Sequence, residues 1–422
     1  MTRTDPRSAE LAARTAALDA RDPLAGYRDR FLPSPGVLSY LDGNSLGRPL
    51  AAAADRLDRF VREAWGGGLI RGWTGEAPGG TGPDGPWMEW PERVGDRIAA
   101  AALGAAPGQT VVADSTTVLL YKLARAAVDA LPERREIVVA TDDFPTDRYV
   151  VEGIADERRC LLRWIDTDPA AGVTPQDVAA TVGPGTALVL LSHVAYRSGW
   201  LADAAAITRV AHDAGALVLW DLSHSAGSVP LDLDAWGVDL AVGCTYKYLC
   251  GGPGSPAFGY VRTGLQDVLR QPVQGWMGRR DPFTMGPGYV PAPGVRAVVS
   301  GTPPILAMVP LLAGLELLEE AGIAAVRAKS TALTEFALEL VDEWLAPLGV
   351  EVVSPRDPDR RGGHVTIRRR GFRELLPRLW QRGVIPDYRE PDSLRLGFAP
   401  LSTGFAEVRD GLAVLRELLR AG

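Results

Sequence analysis

Cysteine is scarce in this chain: Cys160, Cys244 and Cys250 are three in number and show no CxxC spacing. An odd, scattered set excludes a disulfide framework and a thiolate zinc site. Histidine is almost as thin, with His193, His212, His224 and His364 far apart, so no metal centre is expected. No stretch holds eighteen uninterrupted apolar residues, and the opening MTRTDPRSAELAARTAALDA interleaves charge with alanine instead of building a signal-peptide core. A membrane span is therefore not expected, and a cytoplasmic location is. A basic excess is missing too: the formal net charge of −7 and pI near 5.3 argue against nucleic acid and anionic membranes as partners. That leaves small molecules as the expected partners. No internal repeat is visible.

What is present is material for a large core. The 422 residues are 46% hydrophobic, enough for two packed units. From about residue 90, short apolar runs alternate with longer stretches of helical spacing, the pattern of βαβ units. The runs are TVVA (110–113), IVVA (137–140), ALVLLSHV (187–194), ALVLW (216–220) and LAVGC (240–244). They are too apolar to carry a wet face, as strands of a parallel sheet covered on both sides should be. Residues 203–215 give the clearest intervening helix, with an Asp cap, an apolar side and a terminal glycine. The Gly- and Pro-rich segment 66–87 reads as a long surface loop, its Trp73 and Trp87 serving as anchors or as part of a lid. After about residue 305 come long helical stretches (305–320, 324–345), the strand candidates VEVVS, HVTIRR and SLRLGF, and a last helix at 405–420. Residues 1–60 are expected to form a helical arm, 61–304 the large α/β domain and 305–422 a smaller α+β domain.

Ligands of open parallel sheets bind beyond the carboxyl ends of the strands. Five such ends supply Ser115-Thr116-Thr117, then Asp142 to Asp147 with Phe144, then Ser192 and His193, then Asp221 with His224, and finally Tyr246-Lys247. Each has an ordinary structural role available: caps, turns, a core aromatic, a snorkelling lysine. Their convergence on one rim favours another. A desolvated lysine attacks aldehydes, hydroxyls and free N–H groups at a helix start hold a phosphate, and an acid and an aromatic plane complete what pyridoxal 5′-phosphate requires.

These residues resemble the kynureninase family. The similarity runs through YLDGNSLG (40–47), FPTD (144–147), LSHVAYRSG (191–199), DLSHSAG (221–227), TYKYLCGGPG (245–254), GWMG (275–278), SGTPPI (300–305) and LRLGFAPL (394–401). The resemblance implies fold type I of the pyridoxal-phosphate-dependent transferases: α/β, with a mainly parallel seven-stranded sheet between helices in the large domain and a smaller C-terminal α+β domain. By position, it implies that Lys247 binds the cofactor aldehyde, Asp221 pairs with the ring nitrogen and Phe144 stacks on the ring. Thr116, Thr117, Ser192, Tyr246, Asp147 and His224 would surround the cofactor. Trp276 and Thr302 would reach it from the neighbouring subunit of a homodimer with shared active sites, and Arg395, with Asn44 and Ser45, would bind the amino-acid substrate.

The implied activity is hydrolysis of L-kynurenine or a ring-modified relative to an anthranilate and L-alanine, with Lys247 moving the α-proton and Tyr246 as acid/base at the carbonyl. Arg279, Ser402 and an enlarged loop at 74–85 depart from the family pattern and bear on the aryl end of the substrate. Three rivals share the cofactor: a cysteine desulfurase or selenocysteine lyase, an aminotransferase, and a non-catalytic binding module. The first needs a reactive cysteine well downstream of the lysine, and none follows Cys250.

Overall fold

A computed structural model describes residues 6–76, 85–168 and 170–421. Its strands are β1 (Ser39–Leu41), β2 (Thr110–Ala113), β3 (Glu136–Ala140), β4 (Leu161–Ile165), β5 (Thr186–Ser192), β6 (Leu217–Asp221), β7 (Leu240–Gly243), β8 (Ala257–Val261), β9 (Glu351–Val352), β10 (His364–Arg368), β11 (Val384–Arg389) and β12 (Ser393–Gly397). Seven of them form one sheet in the order β2-β8-β7-β6-β5-β3-β4. Strand β8 runs antiparallel to both neighbours, and the remaining pairs are parallel.

All five apolar runs are strands of this sheet, and alternation sends their side chains into two cores. Val138, Val189, Val218 and Ala241 face one, while Ile137, Leu188, Leu219 and Leu240 face the other. Each such side chain, fully buried, contributes roughly 1.5–3 kcal/mol. The two strands not expected, β4 and β8, lacked the signal for different reasons. Edge strand β4 exposes Leu161 and Trp164, and β8 is a short AFGYV run interrupted by glycine. The helix Ala204–Asp213 is capped as expected, with the Asp203 carboxylate accepting the Ala206 N–H at 3.0 Å.

A second sheet, β1-β11-β12-β10-β9, forms the smaller unit. The first sixty residues are not purely helical: β1 pairs in parallel with β11, and the helix Pro6–Arg21 lies against Phe405–Ala421. The helix Ile305–Ala321 is apolar over most of its surface, with Glu316, Glu319 and Glu320 confined to its exposed C-terminal part. Met308, Leu311, Leu312 and Leu315 accordingly join the core of the large sheet, and Gly314 is packed so closely that a Cβ would lie 2.0 Å from the Leu249 carbonyl oxygen.

The loop expected over 66–87 is partly helical. Gly66–Gly68 and Leu69–Trp73 continue the helical path from Ala51–Arg59 despite three consecutive glycines, while residues 77–84, most of the enlarged segment, lie outside the described residues. Trp87 is buried and meets Trp73 edge to face at 5.6 Å, so the pair anchors this segment to the body. No described helix is long and apolar enough to cross a membrane.

Candidate active site

The carboxyl ends of β2, β3, β5, β6 and β7 open onto one cavity of about 170 Å³. Its wall includes Thr116, Thr117, Phe144, Asp147, Ser192, Asp221, His224, Tyr246 and Lys247. Strand geometry explains the meeting: Ser192 and Asp221 are register partners at the ends of β5 and β6. After β2, Asp114 takes a left-handed conformation (φ 48°) and Ser115 caps the helix Thr116–Ala130, leaving Thr116 and Thr117 in the first turn among free N–H groups. After β3, Phe144 precedes Pro145 at a helix start, 37% exposed to the cavity side and edge-on to Tyr196 at 5.4 Å.

Three carboxylates line up behind this wall. Asp143 is buried and accepts N–H groups from Ala140 and Ser192, both at 2.9 Å, yet burial pushes its carboxyl up to about 7. Asp147 is raised well above the usual range, first by burial and then by the charges of Asp221 and Asp143. Two buried carboxylates this close repel each other, which disfavours charge on both at once. Asp221 takes the Ser223 N–H at 2.9 Å on Oδ1.

Lys247 stands in a turn tied down from several sides. The Thr245 hydroxyl reaches the Pro256 carbonyl (2.5 Å), the Gly251 N–H returns to Thr245, and the Gly47 N–H bonds the Tyr246 carbonyl at 2.9 Å. Gly47 is required there, because a Cβ would sit 2.4 Å from the Lys247 carbonyl oxygen. Among the described residues the Lys247 ammonium meets no carboxylate; its Nζ lies 2.9 Å from His224 Nε2. Burial, then the charge of Lys247, holds His224 well below the usual histidine range, so the ring is neutral. Burial also raises the Tyr246 phenol, which remains protonated and able to donate.

Arg395, in β12, is buried: only 1% is exposed, so it is no surface strand residue. Its Nε bonds Asp387 at 2.5 Å, Nη1 the Tyr196 carbonyl at 2.7 Å and Nη2 the Ser45 hydroxyl at 2.9 Å. Asn44 is buried beside Gly397, with neither amide atom hydrogen-bonded among the described residues. Asp42, near Arg395 and Asp387, is pushed up to about 6 by burial. Trp276 and Thr302 are not on the wall of the first cavity; in the single chain they line a separate apolar one of about 420 Å³ with Ile70, Trp73, Met277 and Phe283.

His193 proves to be a core residue, bonded to Ser225 at 2.9 Å and packed on Trp220 and Trp236. Sequence reasoning placed Asp143 on the rim without a role and missed Tyr196 and His364. The first two sit inside motifs that were recognised, at strand ends, so their position was a usable signal; His364 lies in the other unit and gave none. Arg279 bonds the Gly288 and Asp281 carbonyls in a surface loop, and Ser402 is buried against the Ala399 carbonyl, so neither lines the cavity of this chain.

Comparison with known proteins adds four findings. Residues 326–415 match the family model described as the kynureninase C-terminal domain. A kynureninase from Pseudomonas fluorescens is 42% identical over 410 residues, 96% of this chain and 94% of its own length. Among solved structures, the apo cysteine desulfurase of Thermococcus onnurineus superposes with a TM-score of 0.78 at 18% identity, covering 96% of this chain and 98% of its own. A C-DES variant with glycine covalently linked to its PLP cofactor gives 0.74 at 18%, covering 90% and 96%. At that identity the structural likeness establishes the fold alone.

Proposed function

The chain belongs to the kynureninase family, and on that premise we propose that it hydrolyses L-kynurenine, or a ring-substituted relative, to the corresponding anthranilate and L-alanine, with pyridoxal 5′-phosphate as cofactor. One observation carries the reading: a lysine amine facing a neutral histidine, two neighbouring carboxylates, an aromatic ring and a hydroxyl-bearing helix start share a single cavity. The donor set fits the cofactor. Helix N–H groups with Thr116 and Thr117 suit a phosphate, Phe144 offers a ring face, Asp221 is an acceptor for a protonated ring nitrogen, and Lys247 suits an aldehyde. When bound, the cofactor supplies an electron sink for carbanion chemistry at the amino acid.

The chain's own residues supply the rest. Lys247 is the base for the α-proton, with neutral His224 able to accept a hydrogen bond from its ammonium form. Asp147, raised by burial and by the charge of Asp221, is drawn toward its neutral form, which spares the cavity a second buried negative charge. Tyr246, protonated and next to Lys247, is the donor to the carbonyl oxygen of the aryl ketone. Arg395 grips the α-carboxylate, with Ser45 and Asn44 beside it, and this requires the guanidinium to share or exchange its bond with Asp387.

A homodimer belongs to the same reading. Ile70 (78% exposed), Phe283 (59%) and Trp276 (37%) surround the apolar cavity that holds Thr302, and a partner subunit would cover them while receiving Trp276 and Thr302 at its own site. Desulfurase chemistry is disfavoured because Cys244 and Cys250 are buried, with burial pushing the Cys250 thiol up to about 12. The deciding assay offers kynurenine and 3-hydroxykynurenine separately to the cofactor-loaded protein and measures the fluorescent aryl acid and alanine. Equimolar release of both is expected. Alanine without an aryl acid, or no turnover of either compound, overturns the reading.

A further inference from the structure

His364 opens β10 in the smaller unit and is completely buried, yet neither of its ring nitrogens makes a well-formed hydrogen bond among the described residues, the Arg197 backbone offering only a weak one. Leaving a buried polar group unpaired costs about 1–3 kcal/mol, so the position of this ring calls for a reason. Its neighbour is the same His224 that bonds Lys247: the rings meet edge to face, 5.7 Å between centroids and 77° between planes. His224 uses Nε2 on Lys247 at 2.9 Å, and its Nδ1 is also without a partner. Two orphaned imidazoles thus face one another across the junction of the two units.

The surroundings keep both rings neutral. His364 is held well below the usual histidine range by burial and by the charges of Arg395, Lys247 and Arg389. For His224 the causes are burial, Lys247, His364, Arg395 and Arg389. A neutral imidazole has one N–H, and which nitrogen carries it follows from what the other nitrogen bonds. If Nε2 accepts from Lys247, the proton of His224 sits on Nδ1, and an acceptor on that side reinforces this tautomer. Strand β10 can hold such an acceptor in place: Thr366, two residues on, donates to the Arg197 carbonyl, and Gly199 (φ 74°) leaves room for the imidazole, a Cβ there lying 3.3 Å from His364 Nε2. Thr366 is also the register partner of Arg395.

We propose that a small rotation closes the edge-to-face gap between these unpartnered rings, so that His364 is a positioning residue that accepts the Nδ1–H of His224, reinforces the tautomer whose Nε2 faces Lys247, and thereby links the strand pair bearing Arg395 to the reactive amine. This rests on the function proposed above for Lys247. The test uses the full chain labelled with ¹⁵N-histidine, whose four imidazoles are assigned by single substitutions, together with kcat and KM on kynurenine. In the native protein, His224 should show one neutral tautomer protonated at Nδ1. His364→Phe keeps the volume without an acceptor; His224 should then populate both tautomers, and kcat should fall about ten- to a hundredfold with KM within threefold. His364→Gln restores an acceptor and should recover the single tautomer and most of kcat. The proposal is overturned if His364→Phe leaves the His224 signals unchanged, whatever happens to kcat. Should the Phe variant not fold, mixed tautomers in His364→Gln overturn it equally. The tautomer is read without substrate, so a failure to turn over kynurenine would sink the proposed activity and leave this result standing.

Discussion

The chain has only three lysines, Lys122, Lys247 and Lys329, and two of them sit close to the same sheet in opposite electrostatic settings. Lys122 is fully buried, 2.5 Å from the Asp114 carboxylate and 3.0 Å from the Val298 carbonyl. It holds the left-handed turn before Thr116 against the segment leading to Thr302. Lys247, at the end of β7, meets a neutral imidazole at 2.9 Å. A carboxylate stabilises the ammonium form and removes its nucleophilicity, whereas a neutral acceptor lets the proton leave. Lys329 follows the first pattern, buried 2.7 Å from Asp22. Burial still lowers the Lys122 and Lys329 amines despite their carboxylates, so what sets Lys247 apart among the described residues is an amine not locked in an ion pair.

The harshest trial of this contrast is Lys247→Ala, which should lower kcat by at least about four orders of magnitude, while pyridoxal phosphate followed by borohydride should label Lys247 in the native protein and neither other lysine, as read by peptide mass. Tyr246→Phe should lower kcat by about two to four orders with cofactor affinity nearly kept, measured by titrating the visible absorbance. His224→Asp would give Lys247 the environment of Lys122; a carboxylate neighbour raises an amine's pKa by about 1–3 units, so kcat at pH 7 should fall about ten- to a thousandfold and recover in part as pH rises. Lys122→Met should act on stability instead, by about 2 kcal/mol because Asp114 is partly solvated, lowering the Tm with activity within tenfold. The smallest effect is a slope. Asp42 and Asp142 at about 6 and Asp143 at about 7 are raised by burial above their unfolded values. Their protonated forms favour the fold, so their contribution is complete below about pH 4 and is lost as pH rises through 6 to 7. Thermal unfolding between pH 5 and 8 checks this, and Asp143→Asn should flatten the slope.

Much of the cavity was legible because a parallel sheet converts order along the chain into place: residues directly after apolar runs must lie on one rim. Ser192, Asp221 and Lys247 were readable for that reason. Strands β4, β8 and β11 were not, since an exposed edge, an internal glycine and a VIPDYR run carry no period that separates strand from loop. Nor did LRLGF reveal that Arg395 is buried and bound to Asp387, because that depends on which face the smaller sheet turns inward.

By itself the sequence determined the sheet, its two apolar faces and the identity of the groups at its rim, because these follow from local alternation and chain order. Only the tertiary structure decided which lysine lacks a carboxylate, which carboxylates are buried together and that His364 meets His224. Those are properties of neighbours brought together from distant segments, and electrostatic energies depend on such distances and on the exclusion of water between them.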